Sequence, residues 1–163
     1  MFLKLKIMDI LKIRVSSYSQ NNEQEIILKY FENQASGVLL DIGANDGRTL
    51  SNTCALMCAG WQGIMIEPDE SAFEKLKYCT YGNKRENVSC YNIAITDKDG
   101  ESDFYKSGTH LHIGDVGLLS TTSEKDYGKW KATAGFTKTK TKTLCFKTFL
   151  ESYPEKKFDF ISI

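Results

Sequence analysis

The chain has 163 residues, which is enough for one domain with a substantial core and short for two. Its 21 basic residues balance its 21 acidic ones, so the overall charge gives no reason to expect nucleic acid or anionic lipid as a partner. The five cysteines are an odd number without regular spacing, which argues against a disulfide framework and favours a reducing, cytoplasmic location.

Charged residues interrupt the apolar stretch at the N-terminus, residues 1–15. The stretch therefore fits neither a secretory signal peptide nor a transmembrane segment, and we interpret it as an amphipathic lead-in. A helical pattern follows from Asn22 to Ala35. It predicts a buried face of four residues: Ile26, Ile27, Tyr30 and Phe31. We predict that residues 1–36 form this lead-in and helix, and that residues 37–163 form the main domain.

The first half of the main domain alternates short apolar runs, typical of buried strands, with helical patterns. The predicted elements are a strand at 38–40, a turn at 41–47, a helix at 48–59, a strand at 63–66, a helix at 70–78 capped by Asp69, and a strand at 88–95. Strands and helices that alternate at this spacing give parallel pairing with right-handed crossovers. We therefore predict a doubly wound α/β sheet.

The second half of the domain is less regular. The predicted elements are a turn at 97–100, a returning hairpin strand at 101–106, a long connection at 107–135, an exposed strand at 137–143, a short helix at 147–153 and a final strand at 158–163. Threonine and lysine alternate along the exposed strand, so its threonines are predicted to lie on one face and its lysines on the other.

An acidic residue follows each of the first two strands at the point where a nucleotide site would form. The first strand ends at Asp41, and Gly43, Asn45 and Gly47 follow it in a turn that lets backbone approach a ligand closely. Glu67 ends the second strand, where an acidic side chain can accept both hydroxyls of a ribose. The pair of acids with the glycine turn indicates a nucleotide-binding site.

The turn favours S-adenosyl-L-methionine over a dinucleotide. The second glycine of the G-x-G-x-x-G fingerprint is missing, because Asn45 stands there. Asp41 places negative charge where a pyrophosphate would approach, whereas the ammonium and sulfonium of S-adenosylmethionine suit a carboxylate. An NAD-linked oxidoreductase or epimerase with an atypical glycine turn stays open as an alternative, and so does a non-catalytic nucleotide-binding fragment.

Several segments resemble the FkbM-type family of S-adenosylmethionine-dependent class I methyltransferases, and they occur in the family's order. The segments LLDIGANDG and IMIEPD carry the resemblance to class I enzymes in general. Four segments make it specific to this family: SYSQNNEQEIILKYF, DIGANDGRTLSNTCALMCAGWQGIMIEPD, NIAITDKDGESDFY and TLCFKTFLESYPEKKFDFISI. The resemblance implies a Rossmann-like fold and methyl transfer to a hydroxyl of a sugar, glycan or other natural product.

The resemblance also implies roles for eight residues. Those expected to line the methionine and ribose portions of the cofactor are Asp41, Gly43, Ala44, Asn45 and Gly47. Glu67 would hold the ribose hydroxyls, and Ile93 with Ala94 would flank the adenine. The family continues from its last matching strand into an Asp-x-Glu-Gly motif, but this sequence ends at Ile163. We therefore expect a sheet truncated at its C-terminal side, self-association through an exposed edge strand, and an inactive fragment; no catalytic residue is assigned.

Other polar residues are interpreted as structural. His110 and His112 with Asp115 nearby lack a strong third ligand, so we predict a loop and no metal site. Cys54 and Cys58 lie four residues apart and are interpreted as small buried side chains. A run of lysines is predicted to be a solvated face, with an anionic acceptor as the alternative: Lys125, Lys129, Lys131, Lys138, Lys140 and Lys142.

Overall fold

The computed structural model describes residues 18–81, 87–108, 117–153 and 157–163. Its helices are α1 (Glu23–Tyr30), α2 (Cys54–Cys58), α3 (Glu70–Tyr81), α4 (Glu124–Trp130) and α5 (Phe146–Glu151). Its strands are β1 (Val38–Ile42), β2 (Gln62–Ile66), β3 (Val88–Tyr91), β4 (Ala94–Thr96), β5 (Gly100–Ser107), β6 (Phe136–Cys145) and β7 (Phe160–Ser162).

The central sheet is parallel throughout, as the sequence predicts. Its four strands have the order β3-β2-β1-β7, and β1 pairs in parallel with β2 on one side and β7 on the other. Neighbouring side chains of β1 are both fully buried, because Leu39 packs in a core on one face and Leu40 in a core on the other. A strand covered on both faces is apolar throughout rather than alternating. The fold is therefore α/β and Rossmann-like.

Different layers cover the two faces of this sheet. On the first face, Trp61 and Met65 pack with residues from α1, α2 and α3. On the second face, Ile64 and Ile66 pack against Phe149 of α5 and partly buried residues of the smaller sheet. That smaller sheet has the order β4-β6-β5, with β4 parallel and β5 antiparallel to β6.

The predicted hairpin after residue 97 is wrong. The chain leaves the central sheet after β3 and enters the smaller one at β4, so the predicted strand at 88–95 is two strands. β6 then lies between β4 and β5 instead of leaving them adjacent. Asp99 accepts from the backbone N–H of Cys145 at 2.6 Å, which ties the turn to the end of β6. Asp99 thus fastens the turn at 97–100 to the end of β6, and this turn does not close a hairpin.

The buried face of α1 also differs from the prediction. Ile26 and Tyr30 are 69% and 81% exposed, whereas Leu28 and Phe31 are buried, with Ile27 partly buried beside them. Gln24 is buried on the same face because its Oε1 accepts from the N–H of Tyr18 at 2.9 Å. The helix therefore buries the face of Gln24, Leu28 and Phe31, and the segment before the helix hydrogen-bonds the buried Gln24.

The helix predicted at 48–59 begins only at Cys54, and residues 48–53 form an irregular segment with a turn at 49–50. Cys54 is buried as expected, but Cys58 is exposed, so its predicted burial is wrong. The long connection at 107–135 also contains a helix, α4, whose N-terminus is capped by Ser123 Oγ accepting from the Asp126 N–H. A side-chain cap thus accounts for the start of α4, whereas Thr53 at the N-cap position of α2 forms no side-chain cap hydrogen bond.

The lysines of β6 are exposed, as predicted. Asp103 of β5 lies between Lys138 and Lys140 and forms ion pairs of 2.7 and 2.9 Å with them. Thr141 and Thr143 are buried on the opposite face of the strand. The Asp103 carboxylate balances one of these two positive charges, and the exposure of both lysines matches a solvated face.

No helix among the described residues is long and apolar enough to cross a membrane. β7 lies at one edge of the central sheet in the described part of the chain, with Ile161 partly exposed. Self-association through that edge stays a prediction.

Candidate cofactor site

A cavity of about 720 Å³ lies where β1 and β2 end. Loops that follow these strands form its floor, and parts of the smaller sheet form one wall. Five of the eight predicted site residues line it: Asp41, Gly43, Ala44, Asn45 and Glu67. Parallel strands direct their carboxyl ends to one edge of a sheet, so loops distant in sequence meet there.

The turn after β1 has the backbone conformation that its glycines predict. Gly43 and Gly47 have φ angles of 81° and 72° and Asn45 has 50°, all in the left-handed region. The N–H groups of Gly43 and Ala44 both donate to the carbonyl of Ile66, at 2.8 and 2.9 Å. The turn is therefore fastened to the end of β2.

Gly47 serves packing rather than the cavity wall. A Cβ atom at this position would lie 2.6 Å from Leu76 Cδ1, which is closer than real contacts allow. Leu76 belongs to α3 and is fully buried. Gly47 therefore permits α3 to pack close behind the turn, and it does not line the cavity.

Asp41 is a buried carboxylate held by hydroxyl groups. Its side chain is 5% exposed, and Thr53 Oγ1 donates to its Oδ2 at 2.6 Å. Burial raises the pKa of Asp41 from 3.8 to about 6, although hydrogen bonds from the Thr53 and Ser162 side chains act in the opposite direction. Burial thus disfavours the charged form of Asp41 in the ligand-free protein, and a cation in the cavity would stabilise that form.

Glu67 is a buried carboxylate held by the backbone. Its Oε2 accepts from the N–H of Asn45 and its Oε1 from the N–H of Asp69, both at 2.8 Å. Burial raises the pKa of Glu67, while these two backbone hydrogen bonds lower it. The side chain joins the turn after β1 to the loop after β2. Each carboxylate oxygen has two lone pairs, so a ligand hydroxyl can still donate to either one.

Lys106 is a cavity residue that the sequence does not single out. Its Nζ lies 3.0 and 2.8 Å from the two carboxylate oxygens of Asp69 and 2.6 Å from Ser71 Oγ. Asp69 also caps α3, since its Oδ1 accepts from the Ala72 N–H at 2.8 Å. The ion pair fastens β5 to the loop after β2. No local pattern reveals it, because residues 69 and 106 meet only in the folded chain.

Ile93 and Ala94 line a separate cavity of about 220 Å³. The two cavities share wall residues, namely Ile42, Gly43, Pro68, Phe104 and Ser120. The smaller cavity thus opens beside the larger one at the junction between β3 and β4. Asn92 fixes this junction, because its Nδ2 donates to the carbonyl of Glu67 at 2.8 Å.

The described residues contain no cluster of His, Cys, Asp and Glu that could hold a metal ion. The two histidines and Asp115 lie outside the described residues. All five cysteines lie among the described residues, and none of them forms a disulfide bond.

A profile of the methyltransferase FkbM domain family matches residues 41–163 of the chain. A search of proteins with curated descriptions found no significant match.

Three solved structures illustrate the structural similarity. The YhhF protein of Escherichia coli has a TM-score of 0.38 and 18% identity, over 49% of this chain and 44% of that one. An S-adenosylmethionine-dependent methyltransferase from Thiobacillus denitrificans, solved with S-adenosyl-L-homocysteine, has a TM-score of 0.37 and 16% identity, over 58% of this chain and 40% of that one. Another such methyltransferase, from Geobacter sulfurreducens and with the same ligand, has a TM-score of 0.38 and 12% identity, over 59% of this chain and 41% of that one. The chain thus spans less than half the length of each.

Proposed function

The chain belongs to the FkbM methyltransferase family, and we propose that it binds S-adenosylmethionine in the 720 Å³ cavity as the methyl donor for O-methylation. The observation that carries the proposal is the pair of buried acids, Asp41 and Glu67, at adjacent strand ends in one cavity wall. We further propose that the acceptor is a sugar, glycan or other natural product with a free hydroxyl, which rests on family membership.

The cavity fits this cofactor in size and in chemistry. Its volume lies within the roughly 300–1,000 Å³ of small-molecule sites. Asp41 supplies a buried negative charge for a ligand that carries an ammonium and a sulfonium. A dinucleotide would instead bring a pyrophosphate toward that charge, which electrostatic repulsion disfavours.

Glu67 is proposed to hold the ribose. Its carboxylate is already oriented by the N–H groups of Asn45 and Asp69, so little side-chain entropy is lost when a ligand binds. The free lone pairs can accept from the two ribose hydroxyls. The adenine would then extend toward the smaller cavity, where Ile93 and Ala94 provide apolar walls.

The residues of this chain are proposed to bind and orient, whereas the bound cofactor would supply the methyl group on its sulfonium. Gly43 and Ala44 hold the turn against β2, which keeps the cavity floor fixed. Transfer to oxygen requires the acceptor hydroxyl to approach in line with the methyl carbon. The wall from β5, with Phe104 and Lys106, faces the same cavity and would limit that approach.

Calorimetric titration of the protein with S-adenosylmethionine, S-adenosylhomocysteine and NAD tests the cofactor. We expect both sulfur nucleosides to bind and NAD to bind at least tenfold more weakly. NAD binding tighter than either of them would overturn the proposal in favour of an oxidoreductase or epimerase.

Transfer of a labelled methyl group from S-adenosylmethionine to a panel of sugars, small alcohols and amines tests the acceptor class. An O-methyl product on a sugar supports it. A product methylated on nitrogen or carbon would contradict it while leaving the cofactor assignment intact.

A further inference from the structure

The segment between the glycine turn and α2 lies in the cavity wall instead of forming the predicted helix. Asp46 Oδ1 accepts from the N–H groups of Arg48 and Thr49, at 2.9 and 2.6 Å. Leu50 has a φ of 56°, a left-handed conformation that is unfavourable for leucine. Such conformations persist where the surroundings enforce them and are frequent at functional sites. The local fold gives up helical hydrogen bonds and places this segment against the cavity.

Asn52 is the residue of this segment with an unmet hydrogen bond. It lines the cavity, and its Oδ1 is buried without a donor among the described residues. An unsatisfied buried acceptor is unfavourable, and native proteins seldom contain one without a reason. The next residue, Thr53, donates to Asp41 Oδ2, so Asn52 lies at the Asp41 end of the cavity. The oxygen has almost no accessible surface, so a ligand donor at this end would satisfy it after a rotation of the Asn52 side chain toward the cavity.

The acceptors at this end select a positively charged donor. Asp41 and the Oδ1 atom of Asn52 can both accept hydrogen bonds, and Asp46 also lines the cavity. A primary ammonium has three N–H donors and one positive charge, so one such group can donate to several acceptors together. A hydroxyl has a single donor and no charge to compensate Asp41.

We propose that Asn52 Oδ1, beside Asp41, accepts a hydrogen bond from the amino group of the methionine portion of S-adenosylmethionine. The proposal rests on the proposed function. It makes Asn52 a specificity-determining residue that distinguishes ligands with an amino-acid tail from those without one.

Two variants separate the acceptor from the shape of the side chain. Asn52→Leu keeps a similar volume and removes the acceptor, whereas Asn52→Asp keeps the shape and the acceptor. Each is titrated by calorimetry with S-adenosylhomocysteine and with 5′-methylthioadenosine, which lacks the amino-acid tail. Thermal melting of the ligand-free proteins provides a second readout.

We expect Asn52→Leu to weaken S-adenosylhomocysteine binding about tenfold and to leave 5′-methylthioadenosine binding unchanged. Asn52→Asp should bind S-adenosylhomocysteine at least as tightly as the wild type. Ligand-free Asn52→Leu should melt at a higher temperature, because the unsatisfied acceptor is gone.

Equal weakening of both ligands by Asn52→Leu would show that Asn52 only shapes the cavity, and unchanged binding of both would show no contact; either result overturns the inference. A wild-type protein that binds neither ligand would overturn the proposed function itself and this inference with it. Wild-type binding therefore distinguishes the two failures.

Discussion

The two acids of the cavity are buried to a similar extent but are stabilised in different ways. Glu67 accepts from two backbone N–H groups, whereas the donors to Asp41 are side-chain hydroxyls, those of Thr53 and Ser162. Backbone donors are fixed by the fold, so Glu67 contributes to the architecture of the loops even without a ligand. Asp41 carries a charge that the protein itself compensates poorly. The comparison indicates that Glu67 holds the loops of the site together, whereas the buried charge of Asp41 would be stabilised by a cation in the cavity.

Removal of the Glu67 carboxylate should have the largest effect. Glu67→Ala leaves the N–H groups of Asn45 and Asp69 without acceptors and unfastens the two loops. Hydrogen bonds to charged groups contribute about 1.5–3 kcal/mol each, so we expect the free energy of unfolding to fall by about 3 kcal/mol. Urea denaturation measures it.

Glu67→Gln should cause about half of that loss, because its amide NH₂ replaces one of the two acceptor oxygens. Glu32→Ala, at an exposed residue after α1, is the matched control and should not alter the midpoint. Equal stability of all three variants would show that Glu67 contributes to ligand binding and does not stabilise the fold.

Neutralisation of Asp41 should have the opposite sign. Asp41→Asn keeps an acceptor for Thr53 and removes the buried charge, so the ligand-free protein should become more stable by about 2 kcal/mol at pH 7. The same change should weaken S-adenosylhomocysteine binding at least tenfold. Melting curves and calorimetry on one preparation check both. A variant that is less stable than the wild type would show that Asp41 is as structural as Glu67.

The pH dependence of stability should reveal the same charge. A carboxyl whose pKa is raised by folding binds its proton more tightly in the folded state. Asp41 therefore favours folding at low pH, and that contribution is lost as the pH rises from 3.8 to about 6. Carboxyls with lowered pKa values, such as Asp103 beside Lys138 and Lys140, have the opposite effect.

The difference between wild type and Asp41→Asn isolates the Asp41 contribution, because the other groups are common to both proteins. The variant's advantage in the free energy of unfolding should grow between pH 4 and pH 6 and stay constant above. Denaturation at several pH values measures it. An advantage that does not change with pH would mean that the pKa of Asp41 is not raised.

The smallest effect is expected at the ion pair that fastens β5 to the site. Lys106→Met keeps most of the aliphatic stem and removes the contacts with Asp69 and Ser71. The Lys106 side chain is 37% exposed, so we expect a loss of only about 1 kcal/mol in the free energy of unfolding. Lys129→Met, which removes an exposed pair with Asp126, should leave the midpoint unchanged. A loss as large as that expected for Glu67→Ala would show that the contact between β5 and the loop after β2 stabilises the fold as strongly as the Glu67 hydrogen bonds.

The central sheet and its two acids were predictable from sequence because each depends on a local pattern. Leu39 and Leu40 indicate a strand buried on both faces, and Asp41 and Glu67 follow such strands directly. The resemblance to the family adds the expected order of the motifs, and the family profile confirms membership over residues 41–163.

The remaining features depend on contacts that local patterns do not contain. The apolar residues of α1 span two overlapping faces, and the hydrogen bonds of Gln24 select the one that packs. Asp46 and Ser51 accept from nearby backbone N–H groups, which competes with helix formation before Cys54. Asn52 and Lys106 can be identified as site residues only in the folded structure, because segments distant in sequence form the cavity around them.

The position of β7 has a consequence for the order in which the chain folds. The N–H of Val38, at the start of β1, donates to Asp159, 121 residues away. Ribosomes add about 5–20 residues per second, so roughly ten seconds separate the synthesis of these two segments. During this interval β2 can cover one edge of β1, while the other edge presents unpaired backbone groups to neighbouring chains. The pairing of β1 with β7 is therefore a long-range contact that forms late in synthesis, and such pairings are slow to close.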